Sequence, residues 1–217
     1  MRSRFDEQLA LMKNELIQMG ALCEEAISLA ATALTDGDRT LAERVGPLGA
    51  EIDRMERDIE TLCLKLLLQQ QPVARDLRQI SAALKIITDM ERIGDQAADI
   101  AEIILAMPAG GGAPGHVGHI RDMAAETIRM VTESVDSYVR QDTGRARQVI
   151  AHDDIVDRCF TRVKQELIQA IAADPAVGER ALDLLMIDKY LERIGDHAVN
   201  VAEWVIFSVT GSKQGAR

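Results

Sequence analysis

The segment ERIGDQAADIAE, residues 91–102, returns almost unchanged as ERIGDHAVNVAE, residues 192–203, with each matching position 101 residues later (192 − 91 = 101). Around both copies, apolar residues recur in alternating steps of three and four, the spacing of a helix that buries one face along its length. A repeat at a fixed interval is typical of internal duplication. The sequence therefore predicts two similar halves, each ending in a long helix that carries an acidic motif.

The composition favours a protein built of helices. Of the 217 residues, 47% are hydrophobic and only 3% are aromatic. Helices packed through leucine, isoleucine, valine, methionine and alanine have this composition. A chain of this length can form one large domain or two small ones with real cores. We therefore predict an all-α fold.

Six long helices are predicted from the apolar seams and the residues that interrupt them. In the first half, DGD at residues 36–38 ends the first helix and Pro72 ends the second. The third helix covers about residues 74–107. Pro47 lies between two glycines near the start of the second helix. It predicts a kink or a split there, because proline cannot donate the helical hydrogen bond.

The second half repeats this plan after the segment PAGGGAPG, whose glycines and prolines predict a turn or a flexible linker. Breaks at QDTG and at Asp174 and Pro175 again leave three helices. The simplest architecture is two tandem three-helix bundles related by internal duplication. The predicted first bundle, linker, second bundle and tail cover residues 1–107, 108–118, 119–211 and 212–217.

Charge and cysteine content indicate the compartment and exclude one class of partner. The chain has 35 acidic and 25 basic residues and a formal net charge of -10, whereas nucleic acids bind basic surfaces. Its three cysteines fit neither a zinc motif nor a set of disulfides, which favours reduced core thiols. We find no secretory signal and no apolar stretch long enough to span a membrane. We predict a soluble cytoplasmic protein that does not bind nucleic acid.

The acidic motif interrupts an otherwise apolar face of the last helix in each half. Glu91 lies where a leucine or isoleucine is expected, and Glu192 does the same in the second copy. Asp95 and Asp99 follow within about 80 degrees on a helix of ~3.6 residues per turn. Carboxylates four residues apart repel each other, and none here has a basic residue four positions on. We therefore expect a positive group against this face.

A metal ion held by carboxylates of facing helices would supply that charge. Facing carboxylates are available on the second helix of each half, at Asp53 in the first and at Asp153 and Asp157 in the second. Two other interpretations stay open: a solvated polar face, or carboxylates paired with basic side chains of a neighbouring helix. The recurrence of the motif at the same register favours a binding site. Arg92 and Arg193, inside the motif, are expected to be ion-paired and are assigned no ligand.

No catalytic group is evident in the sequence, which has neither a Ser, His and Asp set nor a glycine-rich phosphate loop. We therefore predict that the protein is not an enzyme. One alternative is a carboxylate-bridged di-metal enzyme in a helical bundle. Such sites take Glu-x-x-His from two helices, a spacing absent here, and the nearest histidine, His197, points elsewhere on its helix. The other alternative is a metal-free helical adaptor whose acidic face meets a basic partner.

The doubled ERIGD pentapeptide, the six helices and the segments GDQAADIAE and GDHAVNVAE resemble the PhoU family of phosphate transport system regulatory proteins over essentially the whole chain. The resemblance implies a cytoplasmic homodimer that is peripheral to the membrane only through its partners. Those partners are the ATP-binding subunit of the high-affinity phosphate transporter and the phosphate-sensing histidine kinase. Through them the protein damps phosphate uptake and the phosphate-starvation response when phosphate is plentiful. Some family members carry iron or zinc, in multinuclear clusters, on these motifs.

The resemblance also implies metal ligands in both bundles. Carried over by position, they are Asp53, Glu91, Asp95 and Asp99 in the first bundle and Asp153, Asp157, Glu192, Asp196 and Asn200 in the second. The halves differ at two of these positions, because Gly49 corresponds to Asp153 and Asp99 corresponds to Asn200. We therefore expect the two sites to bind metal unequally. The second is favoured, since it keeps an acidic pair on its penultimate helix.

Overall fold

The computed structural model describes residues 2–70, 72–108 and 114–212. In this part of the chain the structure is helical apart from turns, which confirms the predicted all-α fold. None of the described helices holds an apolar stretch long and uncharged enough to cross a membrane. A short 3₁₀ turn covers Pro175–Val177, and the helices are α1 (Arg2–Asp36), α2 (Arg39–Glu43), α3 (Val45–Gln70), α4 (Ala74–Ala106), α5 (Pro114–Arg140), α6 (Thr143–Ala173) and α7 (Gly178–Thr210).

The second predicted helix is split near its start, as Pro47 indicated. α2 ends at Glu43 and α3 begins at Val45, so the break lies at Arg44. In a continuous helix Pro47 would have no N–H to offer the carbonyl of Glu43, and its ring would press against that carbonyl. The split leaves α2 as a short piece of its own, and α3 then packs along both α1 and α4.

The long helices form the two predicted bundles, α1, α3 and α4 in the first and α5, α6 and α7 in the second. α4 also packs against α7, and α1 against α5, so one apolar core continues through both bundles. The apolar seams predicted for the motif helices lie in this core. The buried seam residues are Ala83, Ile86, Met90, Ile93, Ala97, Ile100 and Ile104 in α4, and Leu184, Ile187, Leu191, Ile194, Ala198, Val201 and Val205 in α7.

α4 and α7 lie antiparallel where the bundles meet. Asp89 of α4 is hydrogen-bonded to Asn200 of α7. Further along α4, Asp99 is hydrogen-bonded to Tyr190, which comes earlier on α7. Each α7 residue in these pairs lies 101 positions after the α4 residue of the other pair, so an approximate two-fold axis relates the two contacts. The duplicated halves therefore meet through equivalent surfaces of their motif helices.

A buried polar cluster closes one end of this interface. Tyr138 of α5 is fully buried and donates from its hydroxyl to the carbonyl of Gln79 in α4 at 2.9 Å. The side-chain amide of Gln79 donates to Oε1 of Gln141 at 2.8 Å, and the Ser208 hydroxyl of α7 lies 3.5 Å from the same oxygen. Because buried polar groups are costly unless paired, this cluster fixes how α4, α5 and α7 meet.

The segment between the halves differs from the prediction at its end. α5 begins at Pro114, so residues 114–118 of the predicted linker belong to a helix. Proline is accepted in the first turn of a helix because its missing N–H would have no helical partner there. Residues 109–113 of the linker and 213–217 of the tail lie outside the described residues. The domain boundaries themselves stay a prediction.

The glycine of each motif lies at a different kind of helix contact. A Cβ on Gly94 would lie 2.9 Å from Cδ1 and 3.2 Å from Cγ2 of Ile52 in α3, closer than side chains normally pack. A Cβ on Gly195 would lie 3.5 Å from both Asp153 and Val156 of α6, which is ordinary contact. The first motif therefore needs a glycine for close packing, and the second does not.

Alanine at these two glycines should change stability in opposite directions. Gly94→Ala should lower the free energy of unfolding by about 1 kcal/mol, because overpacking of about 1–3 kcal/mol outweighs the better helix propensity of alanine. Gly195→Ala should raise it by roughly 0.5–1 kcal/mol, because only the propensity changes. Urea unfolding of both variants measures this difference, and shifts of the same sign would contradict it.

Candidate metal centre

Three predicted ligands converge in the first bundle. Asp53 of α3 and Glu91 and Asp95 of α4 each offer a carboxylate oxygen, and these oxygens all lie within 4.8 Å of one another. Glu91 and Asp95 occupy successive turns of α4, and all three side chains are partly buried. We call these residues the first cluster. Across residues 2–70, 72–108 and 114–212, it is the one group of three or more His, Cys, Asp or Glu side chains that comes together this closely.

Arg92 neutralises part of the charge of the first cluster. Its guanidinium lies 3.4 Å from the Glu91 carboxylate and 3.0 Å from that of Asp95, so the predicted ion pairing of Arg92 is confirmed. Partial burial still raises the pKa of Glu91, and the nearby carboxylates of Asp95 and Asp53 add to this rise. One exposed guanidinium beside three carboxylates leaves the group negative, so the first cluster can accept a further cation.

The predicted ligands of the second bundle lie near each other but less closely. Burial, and after it the charges of Asp157, Asp196 and Glu192 in that order, together raise the pKa of Asp153 to about 6. We call these four carboxylates the second cluster. No three of them bring their oxygens as near as those of the first cluster. Glu192 is bound instead by the ammonium group of Lys189, three residues earlier on α7.

The structure places Asp99 and Asn200 in the contact between α4 and α7. Asn200 donates from its amide to Oδ1 of Asp89 at 3.1 Å, and Nδ1 of His197 lies 2.9 Å from the same oxygen. Asp99 accepts a hydrogen bond from Tyr190, although the charge of Asp95 still reaches it. These two positions therefore join the bundles, and their role as metal ligands stays a prediction.

Sequence reasoning predicted the ion pairing of Arg92 without naming its partner, and it missed Lys189; both cations lie three residues from a motif carboxylate. Arg92 pairs with Asp95, and Lys189 with Glu192, at the i,i+3 spacing. The expected repulsion followed from the i,i+4 spacing alone, although the i,i+3 spacing also places side chains on the same side of a helix. The signal was therefore present in the sequence.

A buried carboxylate that we had not assigned lies one turn before the second motif. Asp188 is 0% exposed, and neither of its oxygens has a hydrogen-bond partner. Burial first, and then the charge of Glu192, raises its pKa to about 8. The equivalent residue of the first half is Ile87, which is buried in the apolar core. In the sequence, Asp188 interrupts an apolar face of its helix, and this interruption was the signal that could have identified it.

The chemistry of these side chains fits a metal ion. Iron and zinc accept carboxylate oxygens, and clustered carboxylates from facing helices are the usual ligands of metal sites in helical bundles. The first cluster supplies three converging oxygens from α3 and α4. The second cluster supplies four carboxylates from α6 and α7, with the unpartnered Asp188 beside it. The residues that could hold a metal are therefore those of the two clusters.

Together, the fold and these clusters define a duplicated three-helix-bundle protein with one carboxylate cluster in each half. The family model of the PhoU domain matches the chain twice, over residues 16–104 and 120–205. The chain belongs to the PhoU family. The two matches correspond to the two bundles and include both acidic motifs.

Known relatives match almost the whole chain. The phosphate-specific transport system accessory protein PhoU homolog of Pseudomonas aeruginosa is 35% identical over 209 residues, which cover 96% of this chain and 86% of that protein. The homolog of the same name from Clostridium acetobutylicum is 36% identical over 215 residues, covering 98% of this chain and 97% of that protein. The crystal structure of PhoU from Pseudomonas aeruginosa gives a TM-score of 0.90 at 36% identity and covers 96% of this chain and 100% of that one.

Asp188 should make the stability of the metal-free protein depend on pH. Its pKa rises from 3.8 to about 8 on folding, so between these values the folded protein keeps a proton that the unfolded chain releases. The free energy of unfolding therefore falls as pH rises through this window, and the loss at pH 7 is about 4 kcal/mol at ~1.4 kcal/mol per pKa unit.

The variant Asp188→Ile, which introduces the residue of the equivalent position 87, isolates this effect. In urea unfolding with a chelator, its stability should exceed that of the wild type by an amount that is small near pH 4 and grows toward pH 8. A difference that stays constant over this range would show that Asp188 does not keep its proton on folding.

Proposed function

We propose that this protein is a regulatory accessory protein of phosphate-specific transport that binds metal at its acidic motifs and is not an enzyme. The observation that carries the proposal is the match of nearly the whole chain to relatives named as accessory proteins of that transport system. The carboxylate cluster in each bundle supports the metal-binding part, because its charge is only partly offset by internal cations.

In this proposal the protein acts in the cytoplasm by contact with two partners. They are the ATP-binding subunit of the phosphate transporter and the phosphate-sensing histidine kinase, and contact with them lowers phosphate uptake and the phosphate-starvation response. The acting form is a homodimer. The net charge of -10 supports partners that offer basic surfaces, because complementary charge speeds and orients association.

The position of the first cluster suggests how a bound metal ion would act on the contact between the two bundles. A bound iron or zinc ion would supply the positive charge that the carboxylates lack. Through such an ion Asp53 and Glu91 would link α3 to α4, and the contact of Asp99 with Tyr190 links α4 to α7. Because Asp95 lies one turn before Asp99 and its charge acts on it, a change of charge in the first cluster is felt at the contact between the bundles.

A metal-free adaptor is the second candidate function. It is favoured by the contacts of Arg92 and Lys189, which already bind motif carboxylates without any metal. In this case the clusters would meet basic side chains of a partner. The two candidates differ in the metal content of the purified protein and agree that the clusters are needed for partner binding.

The test is a charge-neutralised first cluster, Asp53→Asn/Glu91→Gln/Asp95→Asn. The purified wild-type protein should contain stoichiometric iron or zinc by elemental analysis, and the variant should lose at least the share bound by the first cluster. Binding to the isolated transporter ATPase subunit and to the kinase should weaken by about tenfold, which lies within the roughly 5–150-fold range expected when binding at one site is coupled to binding at another.

A matched control removes the same charge from exposed positions of α3, Glu51→Gln/Asp58→Asn/Glu60→Gln. It should keep both metal and partner binding, with folding of all proteins checked by circular dichroism. A wild type without metal, whose partner binding is lost only in the cluster variant, would establish the adaptor. Unchanged partner binding in the cluster variant would contradict both candidates.

A further inference from the structure

An exposed apolar surface lies at the end of the first bundle, where α3 ends and α4 begins. Leu64 and Leu68 lie one turn apart on α3, and Val73 and Leu77 lie one turn apart at the start of α4. All four side chains are exposed, Leu68 to 84% and Val73 to 63%. We call these four residues the apolar surface. Grouped apolar side chains on a protein surface mark interaction sites.

The packing of α3 against α4 brings the two pairs of apolar residues side by side. Because α4 follows α3 within a few residues, the two packed helices run in opposite directions. Ile52 of α3 lies beside Gly94 of α4, which fixes the register of the two helices. From this contact, Leu68 lies 16 residues further along α3, and Leu77 lies 17 residues back along α4 (68 − 52 = 16; 94 − 77 = 17). Leu68 and Leu77 are therefore at the same level of the bundle.

The first cluster lies on the same outer face of α3 and α4. Leu64 follows Asp53 by 11 residues, which places it about 20 degrees away around α3 at ~3.6 residues per turn (64 − 53 = 11). Leu77 precedes Glu91 by 14 residues, which places it about 40 degrees away around α4 at the same pitch (91 − 77 = 14). The side chains of Asp53 and Glu91 are partly exposed. One face thus carries carboxylates and, about three to four turns away, apolar side chains.

The second half of the chain shows that the fold does not need the apolar surface. α6 corresponds to α3 at an offset of 104, since Val156 takes the place of Ile52 (156 − 52 = 104). α7 corresponds to α4 at the motif offset of 101. Three of the four equivalent residues are small or acidic: Ala172 for Leu68, Asp174 for Val73 and Gly178 for Leu77. Since both halves form the same bundle, the apolar surface has a role other than folding.

We propose that the apolar surface and the first cluster together dock an amphipathic helix of a partner protein. The apolar residues of this helix pack on the apolar surface, and its basic residues, about three to four turns away, meet the carboxylates of the first cluster. This docking site rests on the proposed function, because it gives a place on this chain to the partner contact proposed there.

The charge of the face selects a basic segment over other occupants. Among the described residues, Arg92 alone pairs with carboxylates of the first cluster, so the group stays negative and its complement is positive. An anionic lipid surface would be repelled by these carboxylates. A second copy of this chain that offered the same face would leave both first clusters without a further cation.

The shape of the face fits a helix. The backbone hydrogen-bonding groups of α3 and α4 are used within these helices, so a partner is held through side chains. An amphipathic helix docks in this way, with apolar residues at intervals of three and four lying against a groove between helices. Leu68 lies 15 residues after Asp53 (68 − 53 = 15). This is about 22 Å along α3 at ~1.5 Å per residue, so a partner helix of about 18 residues covers the face.

The test measures binding of synthetic, fluorescently labelled peptides to the full-length protein by fluorescence anisotropy. Two peptides of about 18 residues carry leucines on one helical face and lysines at either the first or the last turns, because the helix can run in either direction. In a third and a fourth peptide, glutamates replace the lysines. A chelator is present, since the metal ion of the proposed function would occupy the same carboxylates. At least one lysine peptide should bind, and its glutamate version should bind at least tenfold more weakly.

The variant Leu68→Ser/Leu77→Ser tests the apolar surface. It should bind the lysine peptide at least tenfold more weakly than the wild type, because burial of a single leucine already contributes about that much. Both replaced side chains are exposed, so the variant should keep its fold, checked by circular dichroism, and its metal content. The matched control Ile168→Ser/Leu182→Ser replaces exposed apolar side chains of the second half and should bind the peptide as the wild type does.

The first-cluster variant, Asp53→Asn/Glu91→Gln/Asp95→Asn, tests the charged end of the face. It should bind the lysine peptide about tenfold more weakly and bind the glutamate peptide no more weakly than the wild type does. Peptide binding that is unchanged in Leu68→Ser/Leu77→Ser, or that falls equally in the control Ile168→Ser/Leu182→Ser, would overturn the docking site.

Other occupants of the apolar surface give different results. If Leu68→Ser/Leu77→Ser changes a dimer into a monomer in size-exclusion chromatography and leaves peptide binding unchanged, the surface belongs to a second copy and the docking site is overturned. The same conclusion, in favour of lipid, follows if the wild type binds vesicles of anionic phospholipid and this variant does not, again with unchanged peptide binding.

Failure of the docking site and failure of the proposed function are distinguishable with the transporter ATPase subunit and the kinase. If the first-cluster variant loses binding to them and Leu68→Ser/Leu77→Ser keeps it, the proposed function stands and the docking site is overturned. If neither protein binds the wild type while the lysine peptide binds as expected, the proposed function fails and the docking site stands.

Discussion

The antiparallel packing of α4 against α7 is the contact on which the rest of the structure depends. Each motif helix packs in its own bundle and also against the other motif helix, so it needs two apolar faces. Between these two faces each motif helix keeps a narrow strip for polar groups. The strip lies between the side that contacts the other motif helix and the side that contacts the preceding helix of its own bundle, α3 or α6. Glu91, Asp95 and Glu192 lie in this strip, and they are therefore partly buried and close to acids of α3 or α6.

Because these carboxylates are only partly buried, they keep a negative charge that is neither screened by water nor removed by protonation or pairing. In water their repulsion would be screened, and in a closed core they would be neutral or tightly paired. Here burial and like charges raise the pKa values of Glu91, Asp153 and Asp196, while Arg92 and Lys189 offset part of the charge. The protein thus holds negative charge that its own basic side chains do not fully balance, which is the condition for binding a cation.

Much of this arrangement follows from sequence periodicity alone. The spacing of apolar residues predicted six helices, the repeated motif predicted two bundles, and the need for a facing ligand identified Asp53 opposite Glu91 and Asp95. Pro47 predicted the split of the second helix because its chemistry is local.

Other features depend on which neighbouring helix contacts each face of a motif helix, and the periodicity of the sequence does not predict this. Asp99 lies two turns beyond Glu91 and is rotated by about 80 degrees around the helix at ~3.6 residues per turn. That rotation brings it to Tyr190 of the other bundle. Asn200 meets Asp89 for the same reason. These residues lie in the interface because of the way the two bundles pack against each other. The residue pattern within one half of the sequence does not predict that packing.

The two contacts related by the approximate two-fold axis also restrict which halves can associate. Asp89 meets Asn200, and Tyr190 meets Asp99, so each polar pair takes one carboxylate from the first half and one neutral side chain from the second. If two first halves associated through the same surface, Asp89 would face Asp99 and two carboxylates would meet in a partly buried place. After duplication, the halves have thus become complementary to each other at these positions, and the first half is no longer suited to pair with a copy of itself.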